Sequence, residues 1–177
     1  PRLLEIAGSP APAIGPTFHD VPHGLLQVTP RRGCGFVDSI GAALQAYDPK
    51  HNLIFSAHTY WTSYANTTTA ITNLLNDAAT WNIPIVLGEI ANKQDDNSGN
   101  CVYNLDVATI MQAAHANNIG YLAWIWTQDN CGARQMTTNG NFNTLSAYGN
   151  TIVNTSTTGI NYAKKQDVGK IKKRLLA

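Results

Sequence analysis

Charged residues are scarce in this chain: Asp, Glu, Lys and Arg make up only 13% of its 177 residues. With 44% hydrophobic residues, the composition is that of a folded domain rather than an intrinsically disordered segment. The formal net charge of +1 provides no general attraction to nucleic acid or to a membrane surface. No hydrophobic run approaches the roughly 18 residues that a membrane span requires. We therefore expect neither a nucleic acid nor a membrane among the partners.

Several motifs that mark other enzyme classes are missing as well. The sequence has no glycine-rich phosphate loop, no cluster of metal ligands and no recognisable Ser-His-Asp arrangement. Its three cysteines, Cys34, Cys101 and Cys131, include no Cys-x-x-Cys pair, so a zinc site is not indicated. We expect neither a metal nor another cofactor.

The two ends of the chain differ in composition from its middle. Six of the eight prolines lie in residues 1–32, which have no helical periodicity. Because proline fixes φ and removes a hydrogen-bond donor, we interpret this segment as irregular, with a short strand only at residues 25–28. Half of the twelve Lys and Arg residues lie in residues 156–177. This basic tail is more typical of a solvated terminus than of an anion-binding site.

Between these ends, strand-like and helix-like patterns alternate. Apolar runs predict strands at residues 53–60, 84–89 and 121–126. Apolar spacings of three and four predict helices over residues 67–81 and 105–117, and shorter helices are predicted over residues 40–47 and 145–153. This alternation indicates an α/β fold of βα units whose parallel strands are buried on both faces.

The three predicted strands end in chemically distinctive side chains. The first ends with His58 and Tyr60, the second with Glu89, and the third with Trp124 and Trp126. Ligands of parallel α/β folds bind beyond the carboxyl ends of the strands, and residues two apart on a strand share a face. If these faces point inward, an imidazole, a phenol, a carboxylate and two indoles converge on one pocket.

Each of these residues also has a purely structural interpretation. Glu89, one of only two glutamates, is either a carboxylate paired with a neighbouring loop or a nucleophile that Tyr60 and His58 hold ionised and aimed. His58 alone is more typical of a satisfied core histidine, and its spacing from Tyr60 favours a site role. Trp124 and Trp126 fit a hydrophobic core, but aromatic faces also stack on pyranose rings.

Two of the cysteines follow these strands. Cys101 and Cys131 lie in the loops after the second and third predicted strands, at the same edge of the sheet. A disulfide between them would stiffen two loops of the site and leave Cys34 without a partner.

Three ordered segments resemble consecutive strands of glycoside hydrolase family 5. Residues 52–60, 83–89 and 120–126 are similar to its strands six, seven and eight, residues 145–154 to its closing segment, and residues 33–40 to the loop after strand five. The resemblance covers residues 33–155. It implies a partial TIM (β/α)8 barrel, about strands 5–8 with their helices.

The resemblance also implies an activity and a role for each site residue. The family comprises retaining endo-β-glycanases, such as cellulases and β-mannanases, that act on β-linked plant polysaccharides. Glu89 matches the nucleophile, Tyr60 its hydrogen-bonding partner and His58 the histidine near the attacked sugar. Trp124 matches the stacking tryptophan of the substrate site, and Trp126 is a looser match. A secreted monomer that uses no cofactor is implied as well.

The acid/base carboxylate that this reaction needs is not identified. The family's acid follows an asparagine, but the sequence contains no Asn-Glu pair, and the surroundings of Glu5 do not match the motif. A barrel of this kind has roughly 250 residues. We therefore expect the chain to be the C-terminal part of a longer catalytic domain. The alternatives are a non-catalytic product, truncated or degraded, with residual carbohydrate binding only, and an unrelated small α/β protein.

Overall fold

A five-stranded sheet is the main feature of the computed structural model. The structure describes residues 2–6, 26–27, 41, 45–46, 48, 50, 53–62 and 65–163. The strands of the sheet are β1 (Arg2–Ile6), β2 (Leu26–Gln27), β3 (Leu53–His58), β4 (Ile85–Ile90) and β7 (Gly120–Ala123). Their spatial order is β2-β1-β3-β4-β7, and the pairs β1–β2, β1–β3 and β3–β4 are parallel. The predicted α/β class with a parallel sheet is confirmed.

The described residues include three capped helices: α1 (Thr68–Thr80), α2 (Val107–Ala116) and α3 (Ala147–Asn154). In each, the side chain of the residue before the helix accepts a hydrogen bond from a backbone N–H of the first turn. Hydrogen bonds from Thr68 to Asp106 and from Asn117 to Asn76 join α1 to α2. No helix among the described residues is long and apolar enough to cross a membrane.

These helices confirm the predicted ones to within two residues at each end. Of the helix predicted over residues 40–47, residues 41, 45 and 46 are helical and the others lie outside the described residues. The first two predicted strands are confirmed as β3 and β4, but β3 ends at His58, so that Tyr60 lies beyond the strand.

The chain forms two compact units, residues 1–122 and 123–177. The first contains the sheet, α1 and α2, and its core is formed by fully buried apolar side chains of these elements: Phe55, Ile71, Leu75, Leu87, Ile90, Ile110 and Met111. In the second, Tyr148, Ile152 and Val153 of α3 are buried together with Met136. A short antiparallel hairpin, β5 (Lys93–Asp95) and β6 (Cys101–Asn104), follows β4 in the first unit. Its strands of three and four residues are too short to show a hydrophobic pattern, so it was not predicted.

The prediction that residues 1–32 are irregular is wrong for residues 2–6. These residues form β1, which pairs with β2 on one side and with β3 on the other, so that Leu4 lies opposite both Leu26 and Phe55. The five residues contain no proline, and both edges of the strand satisfy their backbone groups in the sheet. β2 lies within the short strand predicted at residues 25–28. The other residues of this segment, and residues 164–177 of the basic tail, lie outside the described ones.

The strand predicted over residues 121–126 is too long. β7 ends at Ala123, and the chain that follows contains a cis peptide between Trp124 and Ile125. The hydrophobic run continues, but the N–H of Ile125 donates to the carbonyl oxygen of Arg134, and its own carbonyl accepts from Met136. These bonds hold the chain within the second unit, so neither Trp124 nor Trp126 is a strand residue.

A glycine in α3 provides a test of packing in the second unit. A Cβ atom on Gly149 would overlap the carbonyl oxygen of Met136 and lie 2.8 Å from its carbon. Because backbone atoms cannot move aside as a flexible side chain can, we expect Gly149→Ala to lower the free energy of unfolding by about 3 kcal/mol. Gly132→Ala is the matched control, since nothing lies within 4 Å of its added Cβ. Denaturant unfolding compares the two variants, and equal stabilities would contradict the prediction.

Candidate active site

Glu89 lies near the carboxyl end of β4, beside the end of β3. The register of the two strands shifts between Ala57 and His58, so that His58 lies opposite Glu89. The backbone N–H of buried Thr59 donates to the carbonyl oxygen of Glu89 at 2.9 Å, and the Thr59 hydroxyl donates to the same oxygen at 3.2 Å. These two bonds hold the backbone of Glu89 against Thr59, which lies between His58 and Tyr60.

The side chains of Tyr60 and His58 meet on one oxygen of Glu89. The Tyr60 hydroxyl donates to Oε2 at 2.9 Å, and Nδ1 of His58 lies 3.4 Å from the same atom. The two rings contact each other edge to face, with centroids 6.3 Å apart. The described residues place no donor on the other oxygen, Oε1. Glu89 is thus held through Oε2, and because the carboxylate is rigid, these contacts also set the direction of Oε1.

The site is partly open to solvent. The side chain of Glu89 is 21% exposed and that of His58 is 12% exposed, whereas Ile90 and Ala91 directly after Glu89 are fully buried. A carboxylate that is accessible, yet followed by fully buried residues, fits a nucleophile better than a carboxylate buried in an ion pair. Among the described residues, no group of three or more His, Cys, Asp or Glu side chains is placed to hold a metal ion.

Gly88 precedes Glu89 and lies against the side chains of β3. An added Cβ would overlap Oγ of Ser56 and lie 3.5 Å from Cδ2 of His58. A side chain at residue 88 would therefore require the buried side chain of Ser56 to move. Sequence reasoning missed both Thr59 and Gly88, although a glycine inside an apolar strand is a known sign of close approach.

Trp124 is anchored within the second unit by polar contacts at both its side chain and its backbone. Its indole N–H donates to Oδ2 of Asp129 at 2.8 Å, and the hydroxyl of Tyr148 donates to its carbonyl oxygen at 2.7 Å. The residue is 36% exposed. Asp129 also accepts hydrogen bonds from Arg134 and from the backbone of Cys131. Sequence reasoning missed Asp129 and Arg134, because a single charge pair in a polar loop carries no recognisable motif.

Trp126 belongs to a second aromatic contact of this unit. Its indole N–H donates to the carbonyl oxygen of Gly140 at 2.9 Å, and its ring stacks on exposed Phe142 with centroids 6.2 Å apart. Phe142, in a loop rich in Asn and Gly, was not predicted. The structure thus brings Glu89, Tyr60 and His58 together, while the convergence of the tryptophans with them stays a prediction.

Both cysteines among the described residues are disulfide-bonded. Cys101 begins β6, and Cys131 precedes a short 3₁₀ turn (Gly132–Arg134). Their predicted pairing with each other stays a prediction. Cys34 lies outside the described residues.

Asp129 makes the stability of the second unit sensitive to acid. Burial by itself raises the pKa of Asp129, but hydrogen bonds from Arg134, Cys131 and Trp124 outweigh it and hold the pKa below its ordinary value of 3.8. Because folding lowers this pKa, the carboxylate stabilises the fold fully above about pH 4, and its contribution is lost as the pH falls through the folded-state pKa. We expect the stability difference between the wild type and Asp129→Asn to be largest near neutral pH and to shrink below about pH 4. Denaturant unfolding across a pH series measures it, and a constant difference would contradict the prediction.

A protein-family model for cellulase (glycosyl hydrolase family 5) matches residues 32–130. Among curated proteins, the chain is 36% identical over 115 residues to a mannan endo-1,4-beta-mannosidase of Cellvibrio japonicus, covering 64% of this chain and 25% of that protein. It is 30% identical over 136 residues to a mannan endo-1,4-beta-mannosidase of Streptomyces lividans, covering 74% of this chain and 33% of that protein. The chain thus spans between a quarter and a third of these relatives.

Solved structures give a consistent result. A beta-mannanase from Streptomyces thermolilacinus superposes with a TM-score of 0.58 at 28% identity, over 72% of this chain and 40% of that one. A beta-mannanase from Thermomonospora fusca also superposes with a TM-score of 0.58, at 26% identity, over 75% of this chain and 43% of that one. Mannohexaose complexes of both mannanases are similar to the chain as well.

Proposed function

Since this chain belongs to glycosyl hydrolase family 5, we propose that it carries the nucleophile of a retaining endo-β-mannanase, within part of a (β/α)8 barrel. The observation that carries the proposal is the contact of Tyr60 and His58 with one oxygen of Glu89 at the carboxyl ends of β3 and β4. A nucleophilic carboxylate must be ionised, oriented and accessible. Glu89 is oriented by a phenol and an imidazole, and its side chain is partly exposed.

The substrate we propose is a β-linked mannan. The two curated relatives are named as mannan endo-1,4-beta-mannosidases, and similar solved mannanases were crystallised with mannohexaose or mannotriose. Cellulose is the competing substrate, because the matching family model bears the name of cellulase. Parallel assays on mannan and on cellulose distinguish the two.

The proposed reaction proceeds in two displacements. Oε1 of Glu89 attacks the anomeric carbon, the bond from that carbon to the leaving oxygen breaks, and a covalent glycosyl-enzyme forms. An acid protonates the leaving oxygen, and water activated by the same group then releases the sugar and restores the carboxylate. Tyr60 and His58 hold Oε2 during both displacements, so that the orientation of Oε1 toward the anomeric carbon is kept.

We propose that the second carboxyl group comes from outside the described residues. Retaining enzymes place their two carboxyl groups about 5–5.5 Å apart. Glu5 lies on β1, which β3 separates from β4. Neighbouring strands are about 4.8 Å apart, so the backbones of β1 and β4 lie roughly 10 Å apart. In addition, Glu5 is in register with Ser56, two residues before the position of His58. Glu5 is therefore the weaker candidate for the acid.

The tryptophans are proposed to bind sugar. Trp124 would offer its exposed indole to the apolar face of a pyranose ring, and the stacked pair of Trp126 and Phe142 would provide a second aromatic surface. We further propose that the protein is a secreted monomer. The disulfide-bonded state of Cys101 and Cys131 supports secretion, because disulfides persist mainly in oxidising compartments.

Covalent labelling tests the assignment of the nucleophile. A 2-deoxy-2-fluoro-mannosyl fluoride incubated with the full-length protein should trap a glycosyl-enzyme, and mass spectrometry of the digest should place the label on Glu89. The variant Glu89→Gln should remain unlabelled. A label on another carboxylate would overturn the proposal.

The competing proposal is that the 177 residues alone have no catalytic activity and at most bind carbohydrate. The absence of an Asn-Glu pair from the sequence favours it. Turnover of mannan and β-glucan by the purified chain decides, since clear hydrolysis would refute it. Binding without turnover would support it.

A further inference from the structure

Trp124 is anchored by a carboxylate that is itself fixed from several directions. Oδ2 of Asp129 accepts the indole N–H of Trp124 at 2.8 Å and Nε of Arg134 at 3.1 Å. Oδ1 accepts Nη2 of Arg134 at 2.8 Å and the backbone N–H of Cys131 at 2.7 Å. Four donors therefore converge on two oxygens, and the carboxylate cannot rotate without breaking at least one of these bonds.

The ion pair is almost completely buried, although the side chain that it anchors is not. The side chains of Asp129 and Arg134 are 5% and 9% exposed, whereas Trp124 is 36% exposed. Burying a charged pair costs desolvation and is weak evidence for a contribution to stability, because apolar replacements are often equally stable. A buried pair instead fixes the orientation of its two side chains, because a bidentate guanidinium–carboxylate contact has one geometry.

A partly exposed indole needs such a constraint if it is to present one face to a ligand. Packing alone leaves an exposed aromatic ring several rotamers. The bond from its N–H to Asp129 selects one of them, and the bond from Tyr148 to the Trp124 carbonyl holds the backbone on which the ring rotates. If the ion pair served only to stabilise the loop, the bonds from Cys131 and Arg134 to Asp129 would be enough. The bond from the indole to Asp129 would then have no purpose.

We propose that Asp129 and Arg134 are positioning residues that hold the indole of Trp124 in the orientation needed to stack on the sugar. This role rests on the proposed function, in which Trp124 binds a pyranose ring. Neither residue of the pair touches the reacting atoms; both act through Trp124.

A double-mutant cycle on the full-length protein tests the proposal. Asp129→Asn keeps the size of the side chain but leaves one oxygen for four donors, and Trp124→Phe removes only the indole donor and part of the ring. Each is expected to lower kcat/KM on mannan about tenfold, as for the loss of one hydrogen bond to a charged group. If both act through the same ring, the double variant should lose about tenfold as well, whereas an additive loss of about a hundredfold would overturn the proposal.

Two further measurements separate the ways in which the experiment can fail. Trp124→Ala tests the sugar-binding role, and unchanged kcat/KM would refute that role and the positioning proposal with it. A large effect of Trp124→Ala together with no effect of Asp129→Asn would refute the positioning proposal alone.

If Asp129→Asn does not fold, Arg134→Lys replaces it in the cycle, because lysine keeps the charge but loses the bidentate contact. The indole N–H NMR signal of Trp124, assigned by its loss in Trp124→Phe, should shift in the positioning variants, and an unchanged signal would contradict the proposal.

Discussion

Replacing Glu89 with glutamine is expected to lower kcat on mannan by about 10⁴-fold or more in the full-length protein, because no other group can attack the anomeric carbon from that position. Glutamine keeps the size of the side chain and can still accept a hydrogen bond from Tyr60. The loss would therefore reflect the missing carboxylate rather than a collapse of the site. Steady-state rates and thermal unfolding of the same preparations measure the two effects separately.

Control and rescue experiments sharpen this prediction. Asp77→Asn changes an exposed carboxylate of α1 in the same unit and should leave kcat unchanged. With Glu89→Ala, azide should restore turnover of an aryl β-mannoside by attacking the anomeric carbon directly, as the aryl oxide leaves. A single displacement inverts the centre and gives the α-azide. A β-azide, or a variant with full activity, would contradict the role of Glu89.

Replacing Tyr60 with phenylalanine is expected to lower kcat/KM by about a hundredfold, which is typical for the loss of one preorganised donor in an active site. The hydroxyl of Tyr60 holds Oε2 at 2.9 Å, and without it the carboxylate is restrained only by His58 and by its backbone. The attacking oxygen then spends less time in line with the anomeric carbon. We expect the rate of labelling by the fluoro-sugar to fall in proportion.

Tyr103→Phe is the matched control for this variant. Tyr103 is an exposed tyrosine on β6, within the same unit, and among the described residues no hydrogen bond joins it to Glu89, so that the variant removes the same hydroxyl from another position. Its substitution should leave kcat/KM and the labelling rate unchanged. Equal losses in Tyr60→Phe and Tyr103→Phe would show that the phenol of Tyr60 has no specific role.

The grouping of Glu89, Tyr60 and His58 could be predicted because it depends on two simple regularities. Parallel strands end at one edge of a sheet, and side chains two residues apart share a face. The hydrogen bonds that hold the backbone of Glu89 in place for this grouping could not be predicted. Thr59 holds the Glu89 carbonyl after a shift in register, and the need for glycine at residue 88 is visible only once β3 lies beside it.

Other features were missed because tertiary contacts outweigh local pattern. β1 lies in a proline-rich segment, and its sheet neighbours on both sides explain why residues 2–6 are nevertheless a strand. Trp124 and Trp126 continue an apolar run, but hydrogen bonds of Ile125 with Arg134 and Met136 draw the chain out of the sheet. The contact of Asp129 with Trp124 joins residues only five apart in an otherwise ordinary loop.

The register shift between Ala57 and His58 makes the site depend on spacing as well as on side chains. Because strand residues alternate between faces, deleting one residue between Ser56 and His58 would turn His58 to the opposite face of the sheet and displace Tyr60, which follows β3. An insertion or deletion of one residue in this stretch would separate both rings from Glu89. Homologues that keep the site should therefore keep the length of residues 53–60 constant.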